Sequence, residues 1–196
     1  QQFINRVHLF TSVDDSTFNS DDIFFKELGI TRLQIFPLYA GICEYYSGFG
    51  IRQGISLNVM STLKFIKFLF YNERKSYYYV HTHTPILSNF SEQGWEQSYK
   101  QLANMLKENS HIKGVIRSSW FFDPKIKEIS PRLAYLRDLP IKNGAKIFAG
   151  GPDDSGNALS KSRSRRELFD SGQYKPMIYL LIWPREALIK WAEEIE

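Results

Sequence analysis

His81 and His83 lie in a run of β-forming residues, 77–84, where strand alternation puts both imidazoles on one face with Tyr77 and Tyr79. Two imidazoles so spaced can hold one metal ion. Alternatively, one can take a proton from a substrate while the other orients it, or both can be hydrogen-bonded structural groups. Asp123, closing the next strand-like run at 115–122, offers a carboxylate for either chemistry. No HxxxH or HExxH spacing accompanies the histidines, so a metal has no signature of its own. The single cysteine, Cys43, excludes a zinc site built on thiolates. Ser118 and Ser119 stand in no GxSxG elbow, which leaves a hydrolase triad without support. Tyr135 and Tyr174 carry hydroxyls that can donate a proton.

Two places suit an anion. Gly94 precedes a helix that follows a strand, and a helix start presents free N–H groups and a positive dipole end to a phosphate. Glycine is also a common turn residue there. Gly150-Gly151 leads into Lys161, Arg163, Arg165 and Arg166, cations that can clamp phosphate or carboxylate. On a helix Ser162, Arg166 and Phe169 share a face while Arg163 points elsewhere, so a solvated basic face is the plainer reading.

The elements that must position these groups follow from periodicity. Strands are expected at 7–10, 32–39, 77–84, 115–122, 145–149 and 177–183, the last apolar throughout as in a strand buried on both faces. Helices are expected from Ser20 to Gly29, over 55–71 and 95–108, from the Ser130-Pro131 cap to a stop at Pro140, over 158–171, and over 186–194. Residues 41–54 read as a hairpin or an active-site loop, and 150–156 as loop. Alternating strands and helices imply an α/β fold: a mixed central sheet flanked by helices on both faces. Ligands in such folds sit at the carboxyl ends of strands, here His83-Thr84, 120–123 and 183–185.

A length of 196 residues suits one well-buried domain spanning 1–196 rather than two. Aromatic residues make up 15%, so flat rings should line much of the core or pocket. A net charge of +4 is too mild to suggest nucleic acid. The longest apolar run, 65–71, is interrupted by Lys67 and falls short of the roughly 20 residues a membrane span needs. One cysteine and no visible signal peptide fit a soluble protein in a reducing, cytoplasmic setting.

The order of strand, Gly-containing turn, helix, strand, helix and two late strands resembles the core of the GNAT acyl-CoA N-acyltransferases over about residues 75–183. In that family a turn of the type Q/R-x-x-G-x-G/A grips the pyrophosphate of acyl-CoA at a helix start. The matching stretch is Ser91-Glu92-Gln93-Gly94-Trp95-Glu96, in which Gly94 agrees while Ser91 and Glu96 depart. A late family helix often reads A-R-x-L-Y-E-x-G-F, similar to Arg165-Arg166-Glu167-Leu168-Phe169-Asp170-Ser171-Gly172, with Phe169 in place of the proton-donating tyrosine. Aligned instead on 130–144, that helix makes Tyr135 the acid.

The resemblance implies transfer of an acyl group from acyl-CoA, a cosubstrate rather than a resident cofactor, to a small-molecule amine. It implies His81 or His83 as base, the backbone beside Thr82 as oxyanion contact, and Tyr135 as acid. Gln93, Gly94 and Trp95 would hold the pyrophosphate, with Arg165 and Arg166 as further contacts. Two rivals stand beside it. One is an enzyme of another class using His81, His83 and Asp123 around a metal or as acid and base. The other is a binding module whose aromatic and basic groove holds a peptide or metabolite.

Overall fold

The aromatic and β-branched run ending in His81 forms the third strand of a six-stranded mixed sheet. The computed structural model describes residues 35–49, 75–82, 88–153, 156–160 and 162–195. Its strands are β1 (Ile35–Pro37), β2 (Ile42–Phe49), β3 (Lys75–His81), β4 (Ile112–Ser119), β5 (Lys146–Pro152) and β6 (Met177–Pro184). The helices are α1 (Glu92–Glu108), α2 (Ile126–Ile129), α3 (Tyr135–Lys142), α4 (Asn157–Ser160), α5 (Arg163–Asp170) and α6 (Arg185–Glu194). The sheet order is β1-β2-β3-β4-β6-β5. Among the described strands only β3 and β4 run parallel, and the other adjacent pairs are antiparallel. A parallel pair needs a crossover, and α1 supplies it. The expected regions at 7–10, 20–29 and 55–71, together with His83, lie outside the described residues.

Trp95, Tyr99, Leu102, Ala103 and Leu106 recur at helical spacing on α1 and are buried. They meet Tyr78 and Val80 of β3, Val115 of β4, and Leu181 and Trp183 of β6. Leu136 of α3 and Leu188, Trp191 and Ala192 of α6 complete this cluster. Tyr99 stands edge-on to Trp183 and Trp191, with ring centroids 5.0 and 6.2 Å away. A second cluster is made of strand residues alone among those described: Tyr77, Ile116, Phe148, Leu180 and Ile182, with Tyr46 and Tyr79 against them. The two clusters follow the period-2 alternation along β3, β4 and β6. Gly114 has φ 144°, and a Cβ there would lie 2.2 Å from the Trp183 carbonyl oxygen, so β4 and β6 approach as closely as they do only with glycine.

Both ends of α1 are capped. Ser91 Oγ accepts the Gly94 N–H at 3.1 Å, and the Arg185 guanidinium donates to the carbonyls of Leu106 and, at 3.0 Å, Asn109. A cation on the last carbonyls satisfies orphan acceptors and opposes the negative helix end. Arg185→Ala should therefore lower unfolding free energy by about 1–2 kcal/mol, read from the urea midpoint, with Arg185→Lys restoring part of the loss.

Several boundaries differ from expectation. The helix expected from the Ser130-Pro131 cap begins instead at Tyr135, after a 3-10 turn over Pro131–Leu133 that Ser130 does not cap through its side chain. The strand expected over 115–122 ends at Ser119, whose Oγ takes the Phe121 N–H and starts a 3-10 turn over Trp120–Phe122. Pro140 lies inside α3 instead of stopping it. The helix ends two residues later, so few backbone bonds are forfeited, and the Pro140 carbonyl receives the N–H groups of Asn143 and Ala145. Gly150 and Gly151 belong to β5, where the register against β6 shifts between Ala149 and Pro152, an irregularity that glycine accommodates. The single basic helix is two, because Ser162 is extended and its Oγ caps α5. No helix among the described residues is long and apolar enough to cross a membrane.

Candidate functional site

The ladder between β3 and β4 runs through Ser76↔Ile112, Tyr78↔Val115 and Tyr79↔Ile116 and then stops. Both strands continue, held by their outer neighbours. Val80 and His81 stay paired with Cys43 and Ile42 of β2, and Arg117, Ser118 and Ser119 with Leu181, Leu180 and Tyr179 of β6. The middle of the sheet therefore opens between the carboxyl ends of its one parallel pair. Along that opening the backbone groups of each strand have no ladder partner in the other, which in a sheet interior invites an extended ligand.

Arg117 sits at this point and is only 2% exposed. Its guanidinium carbon lies 3.9 Å from the Trp95 ring centroid and 5.2 Å from that of Phe122. Nη1 donates to Tyr99 Oη at 2.6 Å, and Nη2 reaches Thr82 Oγ1 across the opening at 3.4 Å. No carboxylate pairs with it among the described residues. Tyr135 adjoins this centre and, with Phe90, Ser91, Glu92, Arg132 and Leu133, lines a cavity of about 470 Å³. Burial pushes the Tyr135 hydroxyl up to about 12, against the downward pull of the Arg117 charge. At neutral pH it is an O–H donor.

The sequence reading missed Arg117. Its signal was a charge set among Val115, Ile116 and Trp120 in a run, 115–122, otherwise apolar or small, a position that demands partners.

Of the residues expected at a site, Thr82 touches Arg117 and Tyr135 senses it. Trp95 is fully buried and meets the site through its stacked guanidinium. Gln93 is exposed in the first turn of α1. Gly94 is buried, its N–H is taken by Ser91, and a Cβ there would fall 1.9 Å from the Asn89 carbonyl oxygen. Close approach of the entering chain thus accounts for this glycine.

His81 does not share a cavity with Thr82 and the start of α1. Alternation places it with Tyr77 and Tyr79 on the face opposite α1, its Nε2 3.0 Å from Glu44 Oε1 and its ring 4.5 Å from that of Tyr79.

Asp123 belongs to a different centre. It is 3% exposed, and its Oδ1 accepts the Lys125 N–H at 3.0 Å. Arg165 is likewise buried, over Trp120 at 4.5 Å, donating to Ala158 O at 2.6 Å and Ser130 Oγ at 3.1 Å. Arg166 is exposed, and Arg163 pairs with Glu167 at 2.8 Å, so the basic residues of this helix do not converge. Among the described residues no group of three or more His, Cys, Asp or Glu is placed to hold a metal ion.

Burial raises the Asp123 pKa, opposed by the backbone N–H groups of Lys125 and Met177 and by the charges of Lys125 and Arg137. A carboxyl with a raised folded-state pKa favours folding below its usual value of 3.8 and loses that contribution as pH rises through the higher folded value. Asp123→Asn keeps an oxygen for the Lys125 cap and removes the buried charge. It should raise the thermal midpoint at pH 7, by about 2–4 °C per kcal/mol gained, and the gain should vanish in scans below about pH 4.

Compared with family models, curated proteins and solved structures, the chain gives no match in any of the three. Fold and site together define an α/β protein whose mixed sheet opens at its one parallel pair, beside a buried guanidinium and a protonated tyrosine.

Proposed function

We propose that the chain is an acyltransferase of the GNAT type, moving an acyl group from acyl-CoA to the amine of a small molecule. The observation that carries this reading is the interrupted β3/β4 ladder. An extended, amide-bearing arm such as that of CoA fits between two strands whose ladder to one another, among the described residues, ends at Tyr79 and Ile116, and gains hydrogen bonds by lying there. The succession β3, α1, β4, α2, α3, β5, α4, α5, β6 also supports it, since it carries the strand–helix–strand–helix–strand order on which the resemblance rests, with two short helices before the last strand.

Acyl transfer requires attack of a neutral amine on the thioester carbonyl, donors for the oxyanion, and a proton for the departing thiolate. Backbone N–H groups beside Thr82 serve the oxyanion. Tyr135, which stays protonated well above neutral pH, gives its proton to the thiolate. His81 is set aside as base because its ring lies beside Glu44 on the face opposite α1, and His83, which alternation assigns to that same face, lies outside the described residues; the proton the amine sheds on acylation therefore passes to water. The pyrophosphate meets the first-turn N–H groups of Glu92 and Gln93, Gly94 being already capped, with Arg132 on the same cavity wall supplying positive charge. Titration calorimetry of the full chain with acetyl-CoA and longer acyl-CoAs tests the reading: saturable heat with at least one is expected, and no heat with any removes it.

A further inference from the structure

We propose that Arg117 is a carboxylate-recognition site, so that the amine acylated at this opening is one that also bears an acid group. The carboxylate site stands on its own geometry; only the identification of its ligand as acyl acceptor rests on the acyltransfer reading.

A guanidinium cannot shed its proton, so burying it requires compensation. Among the described residues the compensation is two aromatic faces and two hydroxyls, none of them a negative charge. The surroundings are rich in donors and poor in acceptors. Tyr99 spends its oxygen on Arg117 Nη1, which leaves its own O–H hydrogen to find an acceptor. The indole Nε1 of Trp95, stacked on the guanidinium and fully buried, has no hydrogen-bond partner. Thr82 adds a hydroxyl on the facing strand.

One positive charge ringed by N–H and O–H groups is completed by a monoanion with two acceptor oxygens in a plane, and the fork of Arg matches a carboxylate. A phosphate dianion would leave a net negative charge in a buried site, and Glu92 stands on the wall of the neighbouring cavity. That cavity lies beside the stack that carries the guanidinium, since Phe90 on its wall meets the Trp95 ring edge-on at 6.2 Å between centroids.

The test is thermal unfolding of the full chain at constant ionic strength with 4-aminobutyrate, its carboxamide, which keeps the ammonium and lacks the carboxylate, and inorganic phosphate. The expected result is a saturable upward shift with 4-aminobutyrate, none with the amide, and less with phosphate. Arg117→Met, which keeps an apolar stem against Trp95, should fold and need at least tenfold more 4-aminobutyrate for the same shift. If that variant does not fold, Tyr99→Phe retains the guanidinium, removes one hydroxyl, and should weaken the response several-fold. An equal response from the amide, a larger one from phosphate, no response from the wild type, or an unchanged response in the variant that folds overturns the proposal. Heat with acyl-CoA but no response to 4-aminobutyrate sinks this inference and leaves the acyltransfer reading. The reverse pattern sinks that reading and leaves the carboxylate site.

Discussion

Tyr135→Phe should lower turnover by about 10²–10⁴-fold while changing the affinity for acyl-CoA little. The phenylalanine keeps the ring beside Leu133 and Phe90 on the cavity wall and removes only the proton donor. Without it the thiolate must leave unprotonated or wait for water. The pH profile gives an independent check. Burial pushes the Tyr135 hydroxyl up to about 12, so in the wild type its deprotonation removes no activity across the accessible alkaline range. The rate should rise as the amine loses its proton and then level, with no alkaline fall attributable to this residue. Steady-state release of free thiol, measured from pH 6 to about pH 10, reads both effects. Unchanged turnover in the variant would remove Tyr135 from the chemistry.

The largest expected loss of stability belongs to Trp95→Ala, about 3–5 kcal/mol, a large share of the roughly 5–15 kcal/mol that holds a domain folded. Three contributions add. The indole is fully buried on α1 against the sheet. It packs edge-on with Phe90 at 6.2 Å and tilted with Tyr99 at 5.7 Å between ring centroids. Its face also carries the Arg117 guanidinium, an interaction worth about 2 kcal/mol when desolvated. Trp95→Phe keeps a π-face and should recover half or more of the loss. Urea unfolding followed by far-UV dichroism measures both variants, and a loss below about 1 kcal/mol for alanine would mean that the guanidinium is held chiefly by its hydroxyl partners.

Much of the architecture was legible because it rests on periodicity. The strand over 177–183 and the helix over 95–108 were visible as an unbroken apolar run and a 3.6-residue repeat, and both formed within a few residues of the expected bounds. The helix through Pro140 and the strand through Gly150-Gly151 were misread because each residue was judged by its local habit. In both cases a neighbour absorbs the irregularity: the nearby end of α3 for proline, and a register shift against β6 for the glycines.

The candidate site was legible only by half. Alternation separates His81 from Thr82, yet it cannot say on which side of the sheet α1 will cross. The helix crosses on the Thr82 side, which turns His81 toward Glu44. The close contact of Gly94 with Asn89 depends on a loop path that no local pattern encodes. Arg117 is not legible from the last residues of the strands, because the ladder ends earlier, at Ile116.

Hydrogen–deuterium exchange with and without saturating acyl-CoA tests the central claim most directly, because it reports on the strand edges themselves. Slowed exchange in peptides covering 79–82 and 117–119, together with the first turn of α1, is the predicted result. Binding that leaves those peptides unchanged and protects the chain elsewhere would contradict it.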